Sequence, residues 1–151
     1  ANVKRIYNTA KYQNLDVYQI NCTYYSALGE DDDAYLLARA LQFFTPGIPQ
    51  VYYVCALAGK NDRELVEKTQ MGRNINRHNY TLDEIAAEVQ RPVVRRLFEL
   101  MKFRNECRAF DGSYELLPSP DHIVHIRWHK GQRSAELYAD VAVKTYEIKS
   151  N

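Results

Sequence analysis

The sequence predicts an α+β fragment: one strand-and-helix step of a parallel barrel, followed by a small antiparallel β module. Three observations predict it. Val51-Tyr52-Tyr53-Val54 is an apolar run without alternation, entered through Thr45-Pro46-Gly47, and a strand of that kind needs both faces covered, as in a parallel sheet wrapped by helices. Helix-like stretches lie before and after it, yet no second strand of the same type occurs. Beyond Phe110 the apolar period changes from about 3.6 residues to about 2. The chain begins at Ala1 without an initiator Met, and the whole reads as a piece of a larger protein.

The elements follow in order. Residues 1–28 show no clear period and carry Asn2, Asn8, Asn14 and Asn21, as in a long structured loop. Glu30-Asp31-Asp32-Asp33 places carboxylates where the positive end of a helix dipole favours them; it lacks the alternating ligands and internal Gly of a calcium loop. Ala34, Leu37, Ala38, Leu41 and Phe44 continue at helical spacing until Pro46-Gly47. After the buried strand and a loop over 56–62, Asn61 and Glu64 form a capping-box variant that opens a short helix to about Lys68. The stretch from Met71 to His78 has little pattern. Thr81-Leu82-Asp83-Glu84 is a second capping box, for a helix to about Gln90. Pro92 suits the first turn of a longer helix ending near Cys107, with Val94, Leu97, Phe98 and Met101 as its apolar face. Tyr114 and Leu116, then Val124, Ile126 and Trp128, then Leu137 and Ala139, then Tyr146 and Ile148 read as four short strands joined by turn residues.

Composition narrows the function classes. With 151 residues, 46% hydrophobic and 26% charged, the chain is globular. A net charge of +1 gives no bulk attraction to nucleic acid or a membrane surface. No apolar run approaches ~20 residues and no signal-peptide pattern occurs. Cys22, Cys55 and Cys107 are odd in number and far apart, which reads as free thiols in a cytoplasmic protein. Twelve Tyr supply apolar bodies with polar tips, suited to pocket walls as well as cores.

Few residues are placed for chemistry. Arg73 and Arg77, with Asn74, Asn76 and His78, form the densest polar cluster outside a clear helix. An Arg fork pairs with carboxylates, phosphates or adjacent hydroxyls, although a loop satisfying its own polar groups accounts for the cluster equally well. Asp16, Tyr18 and Gln19, beside Asn21, Tyr24 and Tyr25, have the polar and aromatic mixture of a carbohydrate site. The plainer alternative is a buried loop pinned by amide hydrogen bonds. His122, His125 and His129 find no Cys or carboxylate at zinc-like spacing and read as solvent-side residues, so neither metal nor cofactor is expected. Asp62 and Glu64 read as caps, and Lys60 lacks a phosphate-loop glycine pattern. No convincing pair of catalytic carboxylates is present, which favours a non-enzyme or an incomplete enzyme.

The string NLDVYQINCTYYSALGEDDDAYLLARALQFFTPGIPQVYYV, then LAGKND, GRNINRH and RPVV…FRN…AFDG, resembles the sucrose phosphorylases of the α-amylase superfamily from about Asn2 to about Asp111, and more loosely beyond. The resemblance implies the last strand and last two helices of a (β/α)8 barrel, with active-site loops at the strands' C-terminal ends. Residues 1–110 would belong to the catalytic barrel and 111–151 to the β domain. Asn14 to Tyr25 would be the loop after the seventh strand, Asp31 to Phe44 the seventh helix, Ile48 to Val54 the eighth strand and Arg91 to Cys107 the eighth helix.

It also implies a retaining phosphorylase that converts sucrose and phosphate to α-D-glucose 1-phosphate and fructose through a glucosyl-enzyme. Nucleophile, acid/base and stabilising carboxylate would all lie upstream, so no catalytic residue is assigned and the fragment alone would be inactive. Binding residues carry over: Arg73 closing the glucosyl pocket, Asp16 facing fructose hydroxyls, Tyr18 and Gln19 contacting acceptor or phosphate. Relatives acting on sucrose 6′-phosphate or glucosyl-glycerate remain alternatives, as does a non-catalytic carbohydrate-binding or interaction fragment. An isolated piece would self-associate or pair with the missing barrel portion, because an unpaired apolar strand edge invites association.

Overall fold

A computed structural model describes residues 21–151, which contain six α-helices, two 3₁₀ turns and a four-stranded sheet. The helices are α1 Tyr24–Ala27, α2 Asp32–Phe44, α3 Tyr53–Ala56, α4 Arg63–Thr69, α5 Leu82–Glu88 and α6 Pro92–Glu106, with 3₁₀ turns at Gly72–Asn76 and Arg108–Asp111. The strands are β1 Ser113–Leu117, β2 Ile123–Lys130, β3 Arg133–Asp140 and β4 Thr145–Ser150. Contacts gather them into two compact units, one of residues 21–30 and 51–91, the other of residues 31–50 and 92–151.

The second unit is built on the sheet, whose order is β1-β2-β3-β4 with every pair antiparallel. Period-2 sequence gives each strand one apolar face. Ile126 lies opposite Leu137, Trp128 opposite Ala135, and Leu137 opposite Ile148. On the other face Glu115, Arg127 and Glu136 occupy one register row. Arg127 Nε donates to Glu136 Oε1 at 2.7 Å, Arg127 Nη1 lies 3.8 Å from Glu115 Oε2, and His125 and His129 pair with Glu136 and Glu115. The four expected strands and the solvent-side reading of His125 and His129 agree with this arrangement, while His122 lies in the turn before β2. Gly112 leads into β1 where a Cβ would sit 1.9 Å from the His129 carbonyl oxygen, so no other residue fits without moving the backbone.

Helix α2 begins as its acidic run requires. Asp31 is the N-cap, its Oδ1 accepting from the Asp33 and Ala34 N–H groups at 3.0 Å each. Its second oxygen, Oδ2, accepts from Lys144 Nζ at 2.5 Å, which holds the carboxyl below the usual carboxylate range. The buried face differs from expectation: Tyr35, Leu36, Leu37, Ala40, Phe43 and Phe44 are buried, together with Arg39, whereas Ala34, Ala38 and Leu41 are half-buried. Arg39 bonds within its own helix, with Nε and Nη2 donating to Tyr35 Oη at 3.1 and 3.0 Å. On α6, Val93, Val94, Leu97 and Leu100 are buried, while Phe98 is exposed.

The carbonyl end of α2 is closed by side chains from far along the chain. Trp128 Nε1 donates to Phe44 O at 2.7 Å, and Arg104 Nε donates to Phe43 O at 2.8 Å. These are carbonyls that a helix cannot satisfy internally. The Arg104 guanidinium lies 4.1 Å from the Phe110 ring centroid, and Phe110 packs edge-on against both Phe44 and Trp128.

The expected strand at Ile48 to Val54 does not form. Residues 48–52 lack regular structure and Tyr53–Ala56 is the helical turn α3. Ile48 is 92% exposed, Tyr52 48% and Tyr53 44%, against full burial of Val54. A strand needs a hydrogen-bonded neighbour for its N–H and C=O groups, and no described strand pairs with this segment. The backbone instead bonds locally, Ala56 N donating to Tyr52 O at 2.8 Å.

Replacing Trp128 by Phe keeps most of the ring packing but leaves the buried Phe44 carbonyl without its donor. The change is expected to lower stability by about 1–3 kcal/mol, measured by urea denaturation at neutral pH.

Candidate functional site

The first unit places its polar side chains around an open cleft of about 510 Å³, lined by Gly59, Lys60, Asp62, His78, Tyr80 and Glu84 among others. Two helix starts face it. Asp62 is the N-cap of α4, its Oδ1 accepting from Leu65 N at 2.8 Å. Thr81 is the N-cap of α5 in a reciprocal capping box with Glu84, whose Oε2 accepts from Thr81 N at 2.6 Å. Each carboxylate keeps one oxygen for His78: Nδ1 lies 2.6 Å from Asp62 Oδ2 and Nε2 lies 3.4 Å from Glu84 Oε1. One imidazole therefore bridges the starts of two helices.

The environment sets the charge on that ring. The hydrogen bond with Asp62 raises the His78 pKa above its ordinary value, with partial burial opposing and Glu84 reinforcing the shift. Bonds from Thr81, and a weaker one from His78, lower the Glu84 pKa. Tyr80 packs edge-on against His78 with ring centroids 4.5 Å apart, and burial pushes its hydroxyl up to about 12. Tyr53 Oη donates to the His78 carbonyl at 2.8 Å.

The loop beneath the cleft is tightly built. Gly59 N donates to Val54 O at 2.8 Å, and a Cβ on Gly59 would lie 2.3 Å from Tyr80 Oη and 2.9 Å from that same carbonyl. Arg91 Nη1 donates to the Leu57 and Ala58 carbonyls at 3.3 Å each and pairs with Glu88. Asn61 does not cap α4. Its Oδ1 accepts from Thr23 N at 2.7 Å and its N–H donates to Ser26 Oγ at 3.0 Å, which leaves the cap to Asp62 one residue later. Thr23 is fully buried and Asn21 nearly so, whereas Tyr24 is exposed.

Arg73 lies in the 3₁₀ turn Gly72–Asn76, a regular element where little pattern was expected. Ile75 anchors the turn in the core at 1% exposure, and its carbonyl accepts from Asp62 N at 2.7 Å. Asn74 Nδ2 donates to Thr69 Oγ1 at 2.9 Å. Arg73 and Arg77 are exposed. Asp16, Tyr18 and Gln19 lie outside the described residues. Among the described residues, no group of three or more metal-ligating side chains comes together, no helix is long and apolar enough to cross a membrane, and the three cysteines form no disulfide with one another.

Two expectations follow. Gly59→Ala must displace Tyr80 or the Val54 carbonyl and is expected to cost about 1–3 kcal/mol, read as a lower urea midpoint. The raised His78 pKa stabilises the fold fully below the unfolded value near 6.5, and this contribution is lost as pH rises through the higher folded value. The groups facing the ring are Asp62, Glu84 and Tyr80. The difference in urea midpoint between the unaltered chain and His78→Gln is expected to shrink as pH rises across that window.

No protein-family model matches the chain. A sucrose phosphorylase from Streptococcus mutans is 55% identical across 100% of the chain, which spans 32% of that relative. A sucrose 6(F)-phosphate phosphorylase from Thermoanaerobacterium thermosaccharolyticum is 54% identical across 97% of the chain and 30% of its own length. The crystal structure of a sucrose 6F-phosphate phosphorylase from Thermoanaerobacter thermosaccharolyticum superposes with a TM-score of 0.86 at 54% identity, covering 87% of the chain and 27% of the solved one. Further relatives are named glucosylglycerol and glucosylglycerate phosphorylases. The chain thus spans about a third or less of the curated relatives it matches.

Proposed function

The chain is homologous to the sucrose phosphorylases and their phosphorylated-sucrose relatives, and on that premise we propose that it is the C-terminal part of a retaining phosphorylase acting on sucrose. The observation that carries the proposal is identity above 50% along the whole chain with a sucrose phosphorylase. In this reading a carboxylate elsewhere in the parent takes the glucosyl group and releases fructose. Phosphate then attacks the glucosyl-enzyme to give α-D-glucose 1-phosphate, two inversions giving net retention.

The chain's own part is binding. Arg73 presents a guanidinium from an anchored 3₁₀ turn and is proposed to hold glucosyl hydroxyls. Asp16, Tyr18 and Gln19 are proposed to contact fructose and the incoming phosphate. Residues 1–110 would belong to a (β/α)8 barrel and 111–151 to a β domain. The exposed Ile48, Tyr52 and Tyr53 are apolar surface that the rest of such a barrel would cover. A cytoplasmic parent is proposed from the odd number and wide spacing of Cys22, Cys55 and Cys107.

A second reading is a parent specific for sucrose 6′-phosphate, favoured by the equally high identity to that class. Assaying the full-length parent with each disaccharide separates the two by the ratio of kcat/KM. Arg73→Ala is expected to remove most activity in that parent, and the isolated 151-residue chain to show no phosphate-dependent sucrose cleavage. Wild-type rates in the variant, or turnover by the isolated chain, count against the respective assignment.

A further inference from the structure

The bridge made by His78 has a consequence for Arg73. The turn Gly72–Asn76 leaves α4 at Thr69 and returns to the start of the same helix, where Asp62 N donates to Ile75 O at 2.7 Å. Three residues after Ile75, His78 binds the side chain of the same Asp62 at 2.6 Å. Backbone and side chain of one residue thus hold the segment that follows Arg73 at two points. Glu84 fixes the far side of the ring at 3.4 Å, and Tyr53 Oη holds the His78 carbonyl at 2.8 Å. Arg73 itself is exposed, so its direction depends on the turn that carries it.

We infer that His78, clamped between Asp62 and Glu84, is a positioning residue that sets the turn presenting Arg73 to the substrate. The inference rests on the sugar-binding role proposed for Arg73. Deleting the imidazole releases two carboxylates from their shared partner and removes one of the two Asp62 contacts that hold the segment after Arg73, leaving the Ile75 carbonyl and the Tyr53 bond to the His78 carbonyl as its remaining ties. A displacement of about 1 Å in a binding group is enough to cost on the order of a hundredfold in rate.

The test combines kinetics with amide NMR, both on the full-length parent. His78→Ala is expected to lower kcat/KM for sucrose by roughly tenfold to a hundredfold. His78→Asn, which returns a donor near the position of Nδ1, is expected to recover part of it. In an Arg73→Ala background the same deletion is expected to cost little more, because effects transmitted through one residue are not additive. An undiminished further loss in that background overturns the inference. So do amide shifts in His78→Ala that are confined to residues 78–84 and leave 72–77 unmoved. Wild-type kinetics in Arg73→Ala alone instead overturn the role assigned to Arg73, a failure distinct from the first. A thermal melt confirms that each variant is folded, and Asp62→Asn, which keeps a cap, substitutes for any that is not.

Discussion

Helix ends carry backbone groups that the helix cannot satisfy, and both compact units are organised by how those groups are met. Three capping carboxylates share one device. Asp31 and Asp62 each place one oxygen on the first turn of a helix, Glu84 places one on the N-cap Thr81 N–H, and all three give the other oxygen to a basic side chain. The N-terminal dipole and the cation favour the same ionised state, so capping and cross-linking reinforce each other. At the other pole of α2, Arg104 and Trp128 supply donors to Phe43 and Phe44. Remove these contacts and the helices keep their propensity but lose the reason to sit where they do.

How much of this was legible in the sequence depends on the range of each interaction. Thr81 and Glu84 are three residues apart, and their capping box is visible in the string. The strands after Gly112 announce themselves because alternation and turn residues are local signals. The start and stop of α2 follow from the acidic run and Pro46-Gly47. Of the residues at helical spacing on α2, Leu37 and Phe44 are buried, while the burial of Arg39 beside Tyr35 has no local apolar signal. Asn61 looked like a cap because its spacing to Glu64 is correct, yet its amide is engaged with Thr23, 38 residues away.

The segment around Val51 shows the same limit from the other side. Composition correctly marked it as apolar, and Val54 is fully buried. Strand formation, however, is a property of a pair, and no single-segment pattern carries the partner. The His78 bridge was equally invisible: its two acids are 16 residues before it and six after it, each already explained as a cap. Arg73 was found by resemblance, while the side chains that hold its turn had to be found in space.

The row Glu115, Arg127 and Glu136 gives the open side of the sheet alternating signs across three neighbouring strands. Such a surface offers any identical surface a mismatch unless it slides sideways, since like charges then meet in register. Lamination of one sheet upon another is thereby discouraged, and the module's oily side remains committed to its own helices. Colloidal behaviour, rather than the melting point, is the property most exposed to losing Arg127.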